Sequence, residues 1–342
     1  MRILAYNIES PRLLKSTIVI SLSVFGVLSA GCRSGDLGVE YPAEKSALVY
    51  LSREVAKWPM ENHCFSCHNN GDGARFLFQS EVFGFSVSEE LLETNRVWLS
   101  DPDAWDFQSD QPEAEDPRLA RIQFAFAFTE SIGNPSPELA GQVSALLKED
   151  QHEDGSWKIL PDYGPGSPVT YGTYLATAVS VRSLQKLKYS SNKAAIQRAE
   201  QWLMEAPIKN VYQAASVLFG IGNLVGEDPD KFDDIRLKCL EMIRQGQSSE
   251  GGWGPFLNAA PEPFDTALVL YALMDHLTPD HSFLENWGDR IRRGRDYLLE
   301  SQLEGGGWIE TTRPQGYRSY AQHISTSSWA ASALIKTSAY RR

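Results

Sequence analysis

Two cysteines and a histidine form the pattern with the clearest chemical meaning in this 342-residue chain. Cys64 and Cys67 are separated by two residues, and His68 follows directly. This spacing is the attachment pattern of c-type haem, in which both thiols bond to one porphyrin and the adjacent imidazole binds the iron. With four Cys and six His in the chain, chance gives the pattern on the order of once in a thousand such sequences. The motif therefore predicts covalent haem c.

Three other roles are open to the same cysteines. They could form a short disulfide in an oxidising compartment, act as a redox dithiol, or bind zinc together with His68 and a fourth ligand. Haem is favoured over zinc because the N-terminus indicates export. In the bacterial families that this motif resembles, c-type haem is attached outside the cytoplasmic membrane.

The first 32 residues have the layout of an export signal. Arg2, Arg12 and Lys15 precede an apolar run over residues 17–30 that is too short to span a bilayer. The Ser-Ala-Gly-Cys sequence ending at Cys32 then resembles a bacterial lipoprotein cleavage site, although Ser29 stands where the usual Leu would be. Ordinary signal cleavage is therefore the alternative. With a tether over residues 33–43, we expect an exported, periplasmic or cell-envelope protein anchored to the membrane through lipid on Cys32.

A spacing of Gln, Gly and Trp occurs three times, each time closing an amphipathic helical stretch. The copies occupy residues 151–157, 247–253 and 302–308. They indicate a repeat of about 50 residues, which is the length of a stacked helix pair, with one degenerate copy in the longer gap. The Gln amide can satisfy backbone groups at a neighbouring helix end, and the Trp can pack over the joint between repeats.

Residues 293–308 carry the fullest copy of this pattern. A basic and a small residue, an aromatic and an aliphatic residue are followed by the Gln, Gly and Trp, at Arg293, Gly294, Tyr297, Leu298, Gln302, Gly306 and Trp308. This copy resembles the signature of the terpenoid cyclase and protein prenyltransferase superfamily, over roughly residues 44–337. The resemblance implies an all-α fold, a single α/α toroid of six helix pairs in a domain at 44–342, with the Cys-x-x-Cys-His loop at 64–68 between the first two helices.

Apolar periodicity predicts the twelve helices of such a toroid. The outer helices, charged on one face, are expected at 44–58, 87–99, 138–148, 193–205, 233–244 and 283–301. The more apolar inner helices are expected at 72–83, 117–132, 170–187, 211–224, 264–277 and 325–337. A closed ring brings the sixth pair beside the first, so His323 is the candidate sixth ligand of the haem iron. Its alternative role is a helix N-terminal histidine bonded to backbone.

Cyclase chemistry lacks its expected acid. The resembled squalene cyclases protonate an alkene with the middle acid of an Asp-x-Asp-Asp motif at the start of an inner helix, and Phe264 stands at that place. Phenylalanine cannot donate a proton. Glu262 and Asp265 are the remaining catalytic candidates, although Asp265 is also explained as a carboxylate at a helix N-terminus. Ala267 stands where the zinc-binding Cys of prenyltransferases would be. We therefore expect no cyclisation of squalene or shorter polyprenyl substrates.

Residues at the starts of the inner helices are expected to line the barrel centre, as an apolar pocket or as packed core. They are Tyr171, Tyr174, Tyr212, Phe264, Asp265, Tyr320 and Trp329. The net charge of −12 argues against nucleic acid as a partner. Two functions compete. One is a redox protein whose haem c transfers electrons to a partner protein or reacts with small ligands. The absence of the cyclase acid at Phe264 favours this function. The other is an enzyme or carrier for an isoprenoid-like lipid, in which the cysteines are structural.

Overall fold

In the part of the chain that the structure describes, twelve α-helices alternate between the outside and the inside of a ring. The computed structural model describes residues 41–105, 116–131, 133, 135–222, 230–276, 287–311, 313 and 318–341. The outer helices are α1 Pro42–Asn62, α3 Glu89–Leu99, α5 Pro137–Glu149, α7 Lys193–Glu205, α9 Asp233–Gly246 and α11 Trp287–Glu300. The inner helices are α2 Ala74–Phe83, α4 Pro117–Ser131, α6 Gly172–Lys186, α8 Val211–Ile221, α10 Pro263–Met274 and α12 Tyr320–Lys336. The predicted export signal with Cys32, and the predicted tether up to residue 40, lie outside the described residues.

The inner helices close into a ring. Each packs against its two inner neighbours, and α12 packs against α2 as well as α10. The described residues contain no β-strand beyond two isolated bridges, from Gln247 to Trp253 and from Gln302 to Trp308. The prediction of an all-α toroid of six helix pairs is therefore confirmed. Among the described helices, none has the length and apolar character needed to cross a membrane.

Local capping explains where several helices begin. The side chains of Ser88, Ser136, Asn210 and Ser319 each accept a hydrogen bond from a backbone N–H in the first turn of the helix that follows. Such caps satisfy N–H groups that have no partner within the helix. Because Ser319 is a cap, α12 begins at Tyr320, earlier than the periodicity predicts.

The three Gln and Trp loops are built alike. Each Gln amide nitrogen donates to the carbonyl of a Gly in its own loop and to a carbonyl near the start of a neighbouring outer helix: Gln151 to Ala195, Gln247 to Arg290 and Gln302 to Ala43, over 2.8–2.9 Å. Each Trp Nε1 donates to a carbonyl near the end of its own outer helix over 2.7–2.8 Å. These loops therefore fasten α5 to α7, α9 to α11 and α11 to α1.

Glycine is required at one position of every loop. Gly155, Gly251 and Gly306 have positive φ values of 93°, 97° and 91°. A Cβ atom at any of them would collide with a backbone carbonyl of the adjacent outer helix. Only glycine combines this backbone conformation with so close an approach.

A buried ion pair closes the ring where its ends meet. The guanidinium of Arg295 on α11 lies 2.6 Å from the carboxylate of Glu44 on α1, and both side chains are buried. Arg341 approaches the same carboxylate at 2.5 Å. Together with the bond from Gln302 to Ala43, these contacts join the last outer helix to the first.

Candidate functional site

Six aromatic rings meet on the barrel axis. Trp329 of α12 lies at their centre, with ring centroids 5.8–6.2 Å from those of Phe126, Tyr171, Phe219, Phe264 and Tyr271. The partners come from α4, α8 and α10 and from the residue directly before α6. We call these six residues the aromatic box. None of the six side chains is more than 5% exposed. A cavity wide enough for water would expose the rings around it, so the box is packed.

A positive charge lies inside the box. The guanidinium carbon of Arg75 on α2 is 4.6 Å from the ring centroid of Phe126 and 4.5 Å from that of Trp329. The side chain is fully buried, and its three nitrogens have no hydrogen-bond partner among the described residues. Cations are attracted to the faces of aromatic rings, most strongly to tryptophan. The rings therefore hold an internal cation.

Asp72 supplies the matching negative charge. Its Oδ1 lies 3.7 Å from an Arg75 nitrogen and accepts a hydrogen bond from the Tyr171 hydroxyl at 2.9 Å. Its Oδ2 accepts from the Gln123 amide at 3.1 Å. Burial raises the pKa of Asp72, whereas the charge of Arg75 and these donors favour the ionised form. Asp72 is therefore the carboxyl group that lies nearest to the Arg75 guanidinium.

The two acids suggested by the sequence lie together at the start of α10. Asp265 forms a bidentate pair with Arg313, with N–O distances of 2.8 and 3.0 Å. Burial nevertheless raises the pKa of Asp265 to about 7. Glu262 lies 3.3 Å from the same guanidinium and accepts a hydrogen bond from Thr311. Arg313 engages both carboxyl groups, so the arrangement ties a loop to α10.

Phe264 packs as a wall of the box. Its ring is fully buried, 5.9 Å from Trp329 and 6.4 Å from Tyr212. Tyr212 donates its hydroxyl to the carbonyl of Tyr171. The first helical turn of α10 therefore presents a hydrocarbon ring to the barrel centre at the place where the resembled cyclases carry their acid.

Cys64, Cys67 and His68 lie between α1 and α2. Cys67 begins a π-helical segment, Cys67–Gly73, which runs into α2 and is capped by the Ser66 side chain. Asn69 holds this segment to α1 by donating to the carbonyl of Glu54 at 2.9 Å. The sequence did not predict the segment, because its Asn and Gly residues disfavour helix and only tertiary hydrogen bonds hold them there.

The two thiols and the imidazole are all half-buried. Cys64 and Cys67 are half-buried and form no disulfide. The Cys67 sulfur lies 3.7 and 3.6 Å from the two ring nitrogens of His68. Burial lowers the pKa of His68 to about 4, so the ring is neutral near pH 7. In the part of the chain that the structure describes, no group of three or more His, Cys, Asp or Glu residues is arranged to bind a metal, so the zinc alternative has no ligand set there.

An apolar groove opens beside the cysteines. Phe65 stacks on Trp98 with ring centroids 4.5 Å apart, and the two rings form one wall. The groove has a volume of about 560 Å³ and is completed by Glu90, Glu93, Thr94, Val97 and Asp101. It therefore offers flat aromatic surface at Phe65, one position from Cys64 and two positions from Cys67.

The His323 side chain contacts Glu310 and Tyr50. Its Nδ1 lies 3.5 Å from a carboxylate oxygen of Glu310, and its ring packs edge-on against Tyr50 at 5.6 Å. A Cβ added at Gly307 would come within 3.0 Å of its Nε2. These contacts surround the ring with groups other than His68, and its role as a sixth ligand stays a prediction.

Two residues expected to line the barrel centre face elsewhere. Tyr174 packs against Trp202 of α7 at 5.1 Å and donates to the carbonyl of Pro207. Tyr320 is 42% exposed and donates to Glu54 of α1 over 2.9 Å. The residues that sequence reasoning missed are Asp72, Arg75, Gln123, Phe126, Phe219, Tyr271 and Arg313. Arg75 is the single charged residue in the apolar stretch 74–78, and this pattern could have indicated a buried charge. The loop that carries Arg313 shows no apolar periodicity, so its position could not be predicted.

Solved structures with this architecture are type II terpene cyclases. The apo type II terpene cyclase MstE from Scytonema matches 87% of this chain and 98% of its own length, with a TM-score of 0.56 and 13% identity. Variants of that enzyme with its substrate, geranylgeranyl dihydroxybenzoate, and its product, merosterolic acid A, match with TM-scores of 0.51 and 0.53 at 13% and 14% identity. The fold of this chain is therefore that of the terpene cyclases.

Sequence comparison adds a short match. The chain is 32% identical over 78 residues to terpentedienyl-diphosphate synthase from Kitasatospora griseola, which is 23% of this chain and 15% of that enzyme. The chain thus matches only a small part of the length of this curated relative. No protein-family model matches the sequence.

Proposed function

We propose that the protein binds an isoprenoid-like apolar molecule at the barrel axis and does not cyclise it. The observation that carries this proposal is the aromatic box, in which five rings surround Trp329 inside a terpene cyclase fold. Variants of one cyclase of this fold, MstE, have been solved in complex with geranylgeranyl dihydroxybenzoate and with merosterolic acid A. Rings of this kind supply the apolar contact area that a branched hydrocarbon chain requires.

The start of α10 argues against cyclisation. Phe264 offers no proton, and Arg313 engages both nearby carboxyl groups, Asp265 and Glu262.

A ligand can enter the packed box only by displacing the Arg75 side chain. The two buried cation–π contacts that it would break are worth about 1–2 kcal/mol each. Burial of about ten methylene groups of a prenyl chain contributes about 8 kcal/mol, from which the cost of separating the packed rings and of immobilising the ligand is subtracted.

The proposal is tested by thermal unfolding of the purified protein with geranylgeraniol in detergent. We expect the melting temperature to rise in proportion to the logarithm of the ligand concentration. Trp329→Ala removes the centre of the box and should abolish the rise, whereas Trp98→Ala, in the outer groove, should keep it. A melting temperature unaffected by geranylgeraniol and by squalene would refute the proposal.

A second candidate is redox function through covalent haem c, and the Cys64, Cys67 and His68 geometry favours it. Both thiols are half-buried and outside any disulfide, and the neutral imidazole is the form that binds iron. These residues fit the group: the cysteines would form the two thioether bonds and His68 would bind iron beside the aromatic wall of Phe65 and Trp98. Haem would supply a one-electron couple for a redox partner protein.

The visible spectrum decides this candidate. Protein made in a host with haem c maturation should give a c-type pyridine haemochrome that stays with the chain on a denaturing gel, and Cys64→Ser with Cys67→Ser should lose it. Colourless exported protein from that host would leave the cysteines a structural or dithiol role.

We also propose export and lipid anchoring through Cys32, on the basis of the N-terminal sequence alone. The protein should partition into the detergent phase, and Cys32→Ser should release it or block its processing. Soluble mature protein that begins at another residue would indicate ordinary signal cleavage.

A further inference from the structure

The Arg75 side chain is placed unlike an ordinary buried ion pair. A buried arginine normally donates several hydrogen bonds, because each unpaired N–H in the interior costs free energy. Here the shortest distance to Asp72 is 3.7 Å, beyond hydrogen-bond range, and the side chain is fully buried. The three nitrogens have no hydrogen-bond partner among the described residues. Hydrogen bonding therefore does not explain where the guanidinium lies.

The aromatic rings do explain it. The guanidinium carbon is nearly equidistant from the ring centroids of Phe126 and Trp329, at 4.6 and 4.5 Å. Trp329 is itself held by four further rings of the box. Planar guanidinium groups stack on aromatic faces, and the attraction grows when water is excluded.

The position of the Asp72 carboxyl group is fixed by contacts other than Arg75. Tyr171, directly before α6, and Gln123 of α4 donate hydrogen bonds to it over 2.9 and 3.1 Å. Removal of the Arg75 side chain would leave this carboxylate at the edge of a space bordered by Phe126 and Trp329. Aromatic faces with a nearby carboxylate form a binding site for a planar organic cation.

We propose that the aromatic box is a site for a planar organic cation, filled in the protein at rest by its own Arg75, with Asp72 as the fixed counter-ion. Arg75 is then an internal ligand that any other occupant of the box must displace. The inference stands on the geometry of the rings and is tested without an isoprenoid, so its failure and that of the proposed ligand are separate results.

Chemical rescue tests the proposal. Arg75→Ala should unfold at a lower temperature than the wild type, and methylguanidinium chloride at tens of millimolar should raise its melting temperature by about 3–5 °C. Equal concentrations of urea and of sodium chloride should give no rise. The wild type and Arg75→Met, in which the box is filled, should show no rise with methylguanidinium.

Substitution of Asp72, the proposed counter-ion, provides a second test. In Arg75→Ala combined with Asp72→Asn, the affinity for methylguanidinium should fall at least about tenfold, which corresponds to the loss of one close charge pair. Folded Arg75→Ala with no gain from methylguanidinium would overturn the proposal, as would a gain that Asp72→Asn leaves unchanged.

A measurement on the wild type remains decisive if Arg75→Ala does not fold. With 15N-labelled arginine, the Nε–H proton of Arg75, assigned by its absence in Arg75→Met, should resonate upfield of the other arginines because it lies between ring faces. It should also exchange slowly with water. An ordinary chemical shift with rapid exchange would show that the guanidinium is outside the box.

Discussion

The rim of the toroid, formed by the three Gln and Trp loops, is held together by repeated contacts. The axis is held together by contacts that are not repeated. At the rim, Gln151, Gln247 and Gln302 each make the same two backbone hydrogen bonds to neighbouring chain segments. At the axis, Arg75 and Trp329 make contacts that occur once in the described residues, between side chains of helices far apart in sequence. A repeated local pattern is visible in sequence and specifies the fold, whereas a single arrangement assembled from many helices determines what the fold can bind.

Breaking the closure of the ring should have the largest effect on stability. Glu44→Ala leaves the buried guanidinium of Arg295 without its carboxylate, so we expect a loss of about 3–5 kcal/mol in the free energy of unfolding. Urea unfolding followed by circular dichroism measures it. Glu61→Ala, which removes an exposed partner of Lys57, is the matched control and should cost less than about 1 kcal/mol. Equal losses in both variants would mean that the ion pair does not close the ring.

The stability of the fold should depend on pH through His276, which lies just after the end of α10. His276 is buried and its Nε2 donates to the carbonyl of Leu218 at 2.7 Å, and burial lowers its pKa to about 4. Between pH 6.5 and 4 the unfolded chain therefore binds a proton that the folded chain does not, so stability falls as the pH falls. The shift corresponds to about 3 kcal/mol of stability at pH 7.

His276→Gln should flatten this acid dependence. The glutamine amide can still donate to Leu218 but does not titrate, so urea unfolding at pH 7, 5.5 and 4.5 should show a smaller loss in the variant than in the wild type. His152→Gln, at an exposed position in the first Gln and Trp loop, is the control and should leave the dependence unchanged. An unchanged slope in His276→Gln would contradict the assigned burial.

The rim loops should respond to mutation almost interchangeably. Replacement of Gln151, Gln247 or Gln302 by alanine removes two hydrogen bonds of about 1 kcal/mol each, so a loss of about 2 kcal/mol is expected at every copy. The Gln302→Ala substitution should lower the free energy of unfolding the most, because the bond from Gln302 to Ala43 also closes the ring. The free energies of unfolding of the three variants test this. Losses that differ severalfold among the copies would show that the loops share a sequence pattern but not a role.

The smallest effect is expected beside the cysteine motif. Tyr320→Phe removes hydroxyl contacts with Glu54 and Asn69 at a half-exposed position and should cost about 0.5–1.5 kcal/mol. Tyr163→Phe, at an exposed loop position, should be neutral in the same unfolding assay. A large loss in Tyr320→Phe would mean that this edge of the barrel contributes to stability as strongly as the ring closure.

Sequence was informative where structure is periodic. The twelve helices followed from apolar spacing, and the Gln and Trp loops followed from three matching copies. Tyr171 and Phe264 lie at or directly before the start of an inner helix, as expected, whereas Trp329 lies in the middle of α12 because this helix begins at Tyr320. Tyr174 and Tyr320 were misplaced because a position at a helix start does not say which way the side chain points.

The features that the sequence did not predict depend on contacts between segments that are distant in the chain. Arg75 lies within 5 Å of Phe126 and Trp329 only because the ring closes. The pair between Arg313 and Asp265 joins a loop to a helix about fifty residues away, and no local pattern marks it. The π-helical turn after Ser66 is held by bonds to α1 and α3, which propensity alone would not favour.

The most direct test of the account is chemical analysis of the ligand recovered from the protein. Purified protein incubated with geranylgeraniol in detergent, separated from excess lipid and extracted, should release the acyclic alcohol unchanged, in an amount approaching one molecule per chain. Trp329→Ala should release almost none. Recovery of a cyclic product that Glu262→Gln or Asp265→Asn abolishes would contradict the account, because it would show that an acid at the start of α10 protonates the bound chain.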